Sequence, residues 1–181
     1  MDDYTAGKCE YSVSLKKLIE EFKLETLYMP EARKIKISQL EVNRPGLALS
    51  GFFEFFDPNR VQLFGNAEHQ YIASLSKKER LYRLEQFAVH HPPVIILTTN
   101  LPVFDEIEYV VKKYGIALLR TSETTSAFQA SLIASLNIHL APRITRHGVF
   151  VEVYGEGVLI FGESGVGKSE TAIELVKRGH R

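Results

Sequence analysis

Eight residues near the end of the 181-residue chain place the strongest constraint on its fold. The run Gly-Glu-Ser-Gly-Val-Gly-Lys-Ser at residues 162–169 matches G-x-x-x-x-G-K-[ST], the phosphate-binding P-loop motif. This motif needs a strand before it and a helix after it. Residues 158–161 are apolar and typical of a strand, and residues 170–178 contain good helix formers and β-branched residues. The sequence therefore predicts a strand, a glycine loop and a helix in that order.

Each part of the motif has a physical role. Gly162, Gly165 and Gly167 lack a Cβ, so the backbone can adopt positive φ angles and turn its N–H groups toward an anion. The N-terminus of the following helix adds a partial positive charge. Lys168 is predicted to reach the β and γ phosphates of a nucleotide, and the Ser169 hydroxyl is predicted to bind a Mg²⁺ ion that bridges them. The alternative is a glycine-rich turn that binds no ligand.

Charge and composition limit the possible partners. The 22 basic and 22 acidic residues cancel, which gives no electrostatic reason to expect nucleic acid or an anionic membrane as a partner. No segment of the sequence is apolar enough to span a bilayer, and the acidic first residues differ from a signal peptide. Cys9 is the sole cysteine, so an internal disulfide is excluded. We expect a cytoplasmic protein.

The residues before the motif alternate between helix and strand patterns. We predict strands at residues 34–37, 61–65, 94–97 and 116–119, and helices at residues 15–22, at residues 77–88, from Pro102 to Gly115, and after Thr124 or Thr125. Residues 94–97 are apolar throughout, as in a strand that is covered on both faces. A strand, a helix and a strand at this spacing predict a right-handed βαβ unit with parallel strands. Residues 1–138 are therefore predicted to form an α/β domain, and residues 139–181 to begin another.

Alternating valines predict a strand that starts just after His147. Residues 155–157, Gly-Glu-Gly, then connect this strand to the one before the motif, which suggests an antiparallel hairpin. If Tyr154 faces Val158, then His147 lies opposite Gly165, beside the phosphate loop. His147 has two interpretations: it contacts a phosphate or transfers a proton, or it is a polar residue at the start of a strand. Spacing alone does not choose between them.

Several groups that phosphoryl transfer requires are missing from the sequence. The reaction needs a carboxylate that helps to hold Mg²⁺ and a group that orients or deprotonates the nucleophile. Residues 94–100 lack an aspartate at the end of their strand. His90 and His91 more simply end a helix than bind a metal, because no cysteine or further histidine lies at ligand spacing. The chain therefore offers a phosphate site but an incomplete active site.

Longer runs of sequence resemble one known family. Residues 147–149, 154–160, 162–170 and 175–181 are similar to the bifunctional HPr kinase/phosphorylase of bacteria. Residues 44–49, 51–53 and 141–143 look like the N-terminal domain of that family. The resemblance covers nearly the whole chain, and its C-terminal part is far more specific than a P-loop alone.

The resemblance implies a cytoplasmic homohexamer in which ATP or pyrophosphate, with Mg²⁺, drives phosphorylation of a serine on HPr, the phosphocarrier protein of the sugar phosphotransferase system. The same site removes that phosphate by attack of inorganic phosphate, and this balance controls carbon catabolite repression. The resemblance also implies a first domain similar in fold to the substrate domain of Mur ligases, with an uncertain task. It assigns His147 and Lys168 to the catalytic site and Ser169 to the metal. The nucleotide phosphates are assigned to Gly162, Glu163, Ser164, Gly165, Val166, Gly167, Lys168 and Ser169.

The resemblance also implies segments that the chain lacks. In the family, the residues after Gly-His-Arg continue into a strand that ends in paired aspartates, one of which accepts the proton of the HPr serine. A metal-binding glutamate and HPr-contacting segments follow. We therefore expect that this chain is the N-terminal domain plus the truncated start of a P-loop kinase domain, and that it is inactive alone. The rival hypothesis is a non-catalytic binding or assembly module with a vestigial P-loop.

Overall fold

The structure is a computed structural model that describes residues 11–31, 34–143 and 147–181. The chain divides into two compact units between Pro142 and Arg143, and each unit is described by itself. Cys9, which carried the prediction about disulfides, lies outside the described residues.

Helices and strands alternate along most of the first unit. The helices of the described chain are α1 Leu15–Phe22, α2 Gly46–Leu49, α3 Asn66–Ser74, α4 Lys77–Ala88, α5 Asp105–Tyr114, α6 Thr125–His139 and, in the second unit, α7 Lys168–Lys177. The strands are β1 Val13–Ser14, β2 Glu25–Tyr28, β3 Lys36–Ile37, β4 Val42–Asn43, β5 Val61–Phe64, β6 Val94–Leu97, β7 Ala117–Arg120 and, in the second unit, β8 Gly148–Val153 and β9 Glu156–Phe161.

A five-stranded sheet forms the centre of the first unit. Its strand order is β2-β7-β6-β5-β4, and β1 pairs separately with β3. Strands β4 to β7 run parallel, while β2 runs antiparallel to β7. Ile96 of β6 lies between Leu63 of β5 and Leu119 of β7. The predicted α/β class is confirmed, as are the parallel strands β6 and β7 on either side of a helix.

Two apolar layers cover the two faces of this sheet. Leu63, Ile96 and Leu119 belong to one buried cluster, which also contains residues of α1 and α6. Phe64 and Leu97 belong to a second cluster, which contains residues of α2, α3, α4 and α5. Every residue of β5 and β6 is buried. Parallel strands that are buried on both faces explain why these segments are apolar without alternation.

The helix ends follow local signals in the sequence. The Ser14 side chain accepts a hydrogen bond from the Lys17 amide at 3.3 Å and caps α1. Ser76 and Glu79 form the predicted capping box of α4, in which each side chain accepts from the other residue's amide. Gly115 ends α5 at φ +64°, the left-handed conformation that glycine adopts without a steric penalty.

Two local predictions differ from the structure, and one helix was not predicted. The helix expected from Pro102 begins at Asp105, after an extended N-cap at Phe104. Residues 34–37 alternate in burial as predicted, but the strand itself contains only Lys36–Ile37. Helix α3 was not predicted, because its buried residues include the polar Glu68 and His69 and give no apolar period.

The second unit consists of a hairpin and one helix. Strand β8 pairs antiparallel with β9, and Val151 of β8 and Ala172 of α7 are buried. Phe150, Leu159 and Phe161 lie on the other face of the hairpin, and their exposed fractions are 70%, 48% and 69%. The described residues of this unit therefore cover only one face of their sheet.

Glu21 joins α1 to α6 and makes stability depend on pH. Its carboxylate accepts hydrogen bonds from the Ser135 hydroxyl at 2.6 Å and from His139 Nε2 at 2.8 Å, and these bonds lower the pKa of Glu21. A carboxyl with a lowered folded-state pKa stabilises the fold above its unfolded pKa, and this stabilisation is lost as pH falls through the folded pKa.

We predict that Glu21→Gln lowers the free energy of unfolding by about 1 kcal/mol at pH 6, a modest effect because Glu21 is partly exposed. At pH 3 the loss should be much smaller, because the stabilisation by the Glu21 carboxylate decreases as the pH falls. Denaturant titrations at the two pH values measure the difference. Glu20→Gln on the same helix is the control, since Glu20 makes only an exposed pair with Lys16. An effect of Glu21→Gln that is equal at both pH values contradicts the prediction.

Candidate functional site

The motif at residues 162–169 connects β9 to α7. Strand β9 ends at Phe161 and α7 begins at Lys168, so the strand and helix predicted to flank the motif are both present. Gly165 and Gly167 have φ angles of +84° and +88°. A side chain at these two positions would strain the backbone, which explains why the loop has glycine there.

Backbone N–H groups of this loop are available to a ligand. Within the described residues, no backbone carbonyl accepts a hydrogen bond from the amides of residues 163–170. The first amide with a backbone partner is that of Thr171, which donates to the Gly167 carbonyl at 2.9 Å. Free amides at a helix N-terminus and in a loop with positive φ angles favour an anion such as phosphate.

Lys168 is folded onto the loop. Its exposed fraction is 9%, and Nζ donates to the carbonyl oxygens of Gly162 (at 3.0 Å) and Glu163. From the first residue of α7, the lysine side chain thus reaches back across the loop to its first two residues. A polyphosphate held by the loop amides would meet this ammonium group at the mouth of the loop. The residues present therefore fit a phosphate group.

The remaining residues of the motif lie on the surface. Glu163, Ser164, Val166 and Ser169 are exposed. A Cβ at Gly162 would lie 3.3 Å from Cγ2 of Val166, so the loop folds tightly over its first residue. Ser169 lies in the first turn of α7, where its hydroxyl is accessible to a metal ion bound to phosphate.

The predicted register of the hairpin is wrong by three positions. Val153 pairs with Glu156, and the turn contains only Tyr154 and Gly155, with φ angles of +52° and +86°. Two successive residues with positive φ form the short turn that matches the twist of a hairpin. The last pair is Gly148 with Phe161. If the same register continues by one residue, His147 lies opposite Gly162 and not opposite Gly165. The His147 side chain is exposed at the start of the loop.

Metal ligands are sparse around the loop. Ser169 provides one hydroxyl, and the parts of the chain that the structure describes contain no group of three or more His, Cys, Asp or Glu side chains that could hold a metal ion. Magnesium prefers six oxygen ligands, and nucleotide phosphates and water supply most of them in sites of this kind. The described residues could therefore supply only a few of the six oxygen ligands of a Mg²⁺ ion.

Among the described residues, no helix is both long and apolar enough to cross a membrane.

Family models match both parts of the chain. The model described as HPr Serine kinase N terminus matches residues 13–136, and the model described as HPr Serine kinase C-terminal domain matches residues 138–181. The HPr kinase/phosphorylase of Lachnoclostridium phytofermentans is 46% identical over 173 residues, which are 94% of this chain and 56% of the relative. The HPr kinase/phosphorylase of Caldicellulosiruptor bescii is 49% identical over 165 residues, which are 91% of this chain and 53% of the relative. The chain spans about half the length of these curated relatives.

A solved structure shares the fold of much of the chain. It contains the CBS and DRTGG domains of the regulatory region of Clostridium perfringens pyrophosphatase, complexed with the activator diadenosine tetraphosphate. The TM-score is 0.51 with 16% sequence identity, and the match covers 74% of this chain and 53% of the other. At this identity the similarity concerns the fold alone.

The contacts of Lys168 predict a role in the protein without ligand. In Lys168→Ala, the carbonyls of Gly162 and Glu163 lose their donor, and we expect local opening of the loop to become easier by about 1–2 kcal/mol. Amide hydrogen exchange of Thr171, whose N–H donates to the Gly167 carbonyl of the loop, should then be roughly 5- to 30-fold faster. Lys177→Ala, in the last turn of α7, is the control. Unchanged exchange in Lys168→Ala would show that the lysine does not hold the loop.

Proposed function

The chain belongs to the HPr kinase/phosphorylase family, and from this premise we propose that residues 162–169 bind the phosphates of ATP or pyrophosphate with Mg²⁺. We further propose that the protein of which this chain is the N-terminal part phosphorylates a serine of HPr and reverses that reaction by phosphorolysis. One observation carries the proposal: the eight successive amides of residues 163–170 have no backbone acceptor in the described chain, and the Lys168 ammonium group lies on the same loop.

Each residue of the loop has a proposed task. The amides of the loop and the first turn of α7 hold the phosphate oxygens, and Lys168 neutralises charge on the transferred group. The Ser169 hydroxyl ligates Mg²⁺, and the ion supplies further neutralisation of the phosphates. His147 lies at the level of Gly162 and is proposed to contact the phosphates or the incoming hydroxyl there. In the forward direction the HPr serine oxygen bonds to the terminal phosphorus, the P–O bond to the leaving ADP or phosphate breaks, and a base takes the serine proton.

The base is proposed to come from residues beyond this chain. Glu152 of β8 and Arg181 exchange both backbone hydrogen bonds, which is the pattern of an antiparallel pair. Chain that continues from Arg181 in this direction would run along β8 toward His147 and reach its level five residues later. A carboxylate there would lie at the loop end of the sheet. Such a strand would also continue a sheet whose outer face carries the exposed Phe150 and Phe161.

The domain arrangement, assembly and location are proposed from the family. Residues 1–138 are proposed as an N-terminal domain similar to the substrate domain of Mur ligases, and residues 139–181 as the start of a P-loop kinase domain. We propose a cytoplasmic homohexamer whose activity links carbon supply to catabolite repression. Size determination of the full-length protein in solution tests the hexamer, and a smaller assembly would contradict it.

Binding to the loop is tested directly on the 181-residue chain. We expect Mg²⁺-dependent binding of ATP or pyrophosphate in calorimetry, and a loss of affinity of about tenfold or more in Lys168→Ala, because a charge-assisted contact is removed. Lys177→Ala should bind like the unmodified chain, and His147→Ala should bind more weakly. Equal affinities of Lys168→Ala and the unmodified chain would favour the rival hypothesis of a module with a vestigial P-loop.

Turnover gives a second test. We expect that the 181-residue chain transfers no phosphate from ATP or pyrophosphate to HPr, because its described residues contain no group of three or more His, Cys, Asp or Glu side chains that could hold a metal ion. Transfer of radiolabelled phosphate to HPr measures this, with the full-length protein as the positive control. Appreciable turnover by the purified chain would mean that the base and the metal ligands lie within these residues.

A further inference from the structure

The side chains of the loop at residues 162–169 and of the turn that follows carry more negative than positive charge. Residues 162–171 contain one cationic side chain, Lys168, and two carboxylates, Glu163 and Glu170. Cationic side chains beside a polyphosphate would increase its affinity, whereas carboxylates repel it. The two glutamates therefore oppose the binding of a bare anion by the loop.

Glu170 lies close to the free amides of the loop. It belongs to the first turn of α7 and directly follows Ser169. One of its carboxylate oxygens lies 3.9 Å from the position that a Cβ would occupy on Gly167. The carboxylate is therefore beside the backbone of the loop, at the helix end where the amides have no backbone acceptor. A phosphate held by these amides would lie within one Debye length of it at physiological salt.

Neither carboxylate is neutralised within the described part of the chain. Glu163 and Glu170 are exposed, and their side chains make no hydrogen bond or ion pair there. Glu174, one turn further along α7, instead binds Arg178 at 3.0 Å. The Lys168 ammonium group donates to carbonyl oxygens of the loop and not to a carboxylate. Both free carboxylates thus act on a ligand of the loop.

A glutamate at this position of a helix can also have a structural role. At the third helical position, a glutamate can accept a hydrogen bond from the N-cap amide, as Glu79 does in α4. Glu170 occupies the same position relative to the N-cap Gly167 but makes no such bond. Its charge still stabilises the helix dipole. That stabilisation does not depend on whether a ligand carries a metal ion.

The repulsion by Glu170 does depend on the metal content of the ligand. A polyphosphate with one Mg²⁺ carries two fewer negative charges than the bare anion, so a carboxylate repels it less. In water, a unit charge about 7 Å away changes the affinity about threefold for each charge on the ligand. After screening by salt, two charges correspond to roughly a fivefold difference between the two forms of the ligand.

We propose that Glu170 makes the loop select the Mg²⁺-bound form of its polyphosphate ligand over the metal-free form. Glu170 is then a specificity-determining residue that acts through its charge, next to the proposed metal ligand Ser169. The inference rests on the proposed binding of phosphates by residues 162–169, and it identifies the side chain that imposes the metal dependence.

The test measures the affinity of the 181-residue chain for pyrophosphate by NMR titration at low ionic strength, with excess Mg²⁺ and again with a chelator. The measured quantity is the ratio of the two affinities. In Glu170→Gln we expect tighter binding of metal-free pyrophosphate and a ratio that is roughly fivefold lower. Glu170→Asp keeps the charge and should keep the ratio. Added salt should reduce the effect of Glu170→Gln.

Glu174→Gln is the matched control, because it removes a carboxylate of the same helix that is already bound to Arg178. It should leave the ratio unchanged. An unchanged ratio in Glu170→Gln, or an equal loss of affinity with and without Mg²⁺, would overturn the proposal and indicate a structural role at the helix end. Absence of pyrophosphate binding by the unmodified chain would overturn the proposed phosphate site, and this proposal with it.

Discussion

Burial of neighbouring parallel strands on both faces is the constraint on which the first unit depends. Strands β5 and β6 have no exposed residue, so each face of the sheet must be covered by helices. Parallel strands also need a crossover connection, and here α2, α3, α4 and α5 supply both the crossovers and one covering layer. The other layer comes from α1 and α6. Because α6 covers the second face, the chain leaves β7 toward the face opposite to that of α5.

The second unit has an antiparallel hairpin instead, and its described residues cover only one face of that hairpin. Helix α7 packs on the face with Val151, while Phe150 and Phe161 stay exposed on the other. A two-stranded hairpin is marginally stable in water by itself. The glycine loop nevertheless has a defined form, since its glycines adopt positive φ angles and Lys168 bonds to carbonyls at most six residues away. The proposed phosphate site is thus a local structure, whose shape comes from the loop's own glycines and from Lys168.

The sequence predicts features that depend on neighbouring residues better than features that depend on residues far apart in the chain. Apolar runs and caps identified β6, α1 and α4, because burial on both faces and a capping serine leave a direct trace in sequence. Helix α3 left no such trace. Its Glu68 is buried because it binds Arg44, which comes from a loop 24 residues earlier, and only the folded chain shows that pair. The hairpin register failed because the positive φ of Tyr154, a residue other than glycine, moved the turn.

Distance along the chain also explains why the candidate site could be found from the sequence and the ion pairs of the first unit could not. All the residues proposed to hold phosphate in the second unit lie within one motif, and a motif is recognisable because its residues keep fixed spacing. In the first unit, Glu25 of β2 and Arg120 of β7 form an ion pair although they are 95 residues apart. No spacing rule joins such residues. Topology does, because the order of strands places β2 beside β7. Even within the motif, fixed spacing describes only part of the site. The pattern specifies Lys168 but leaves the positions of Glu163 and Glu170 open, so the charge beside a bound phosphate follows from residues that the motif does not specify.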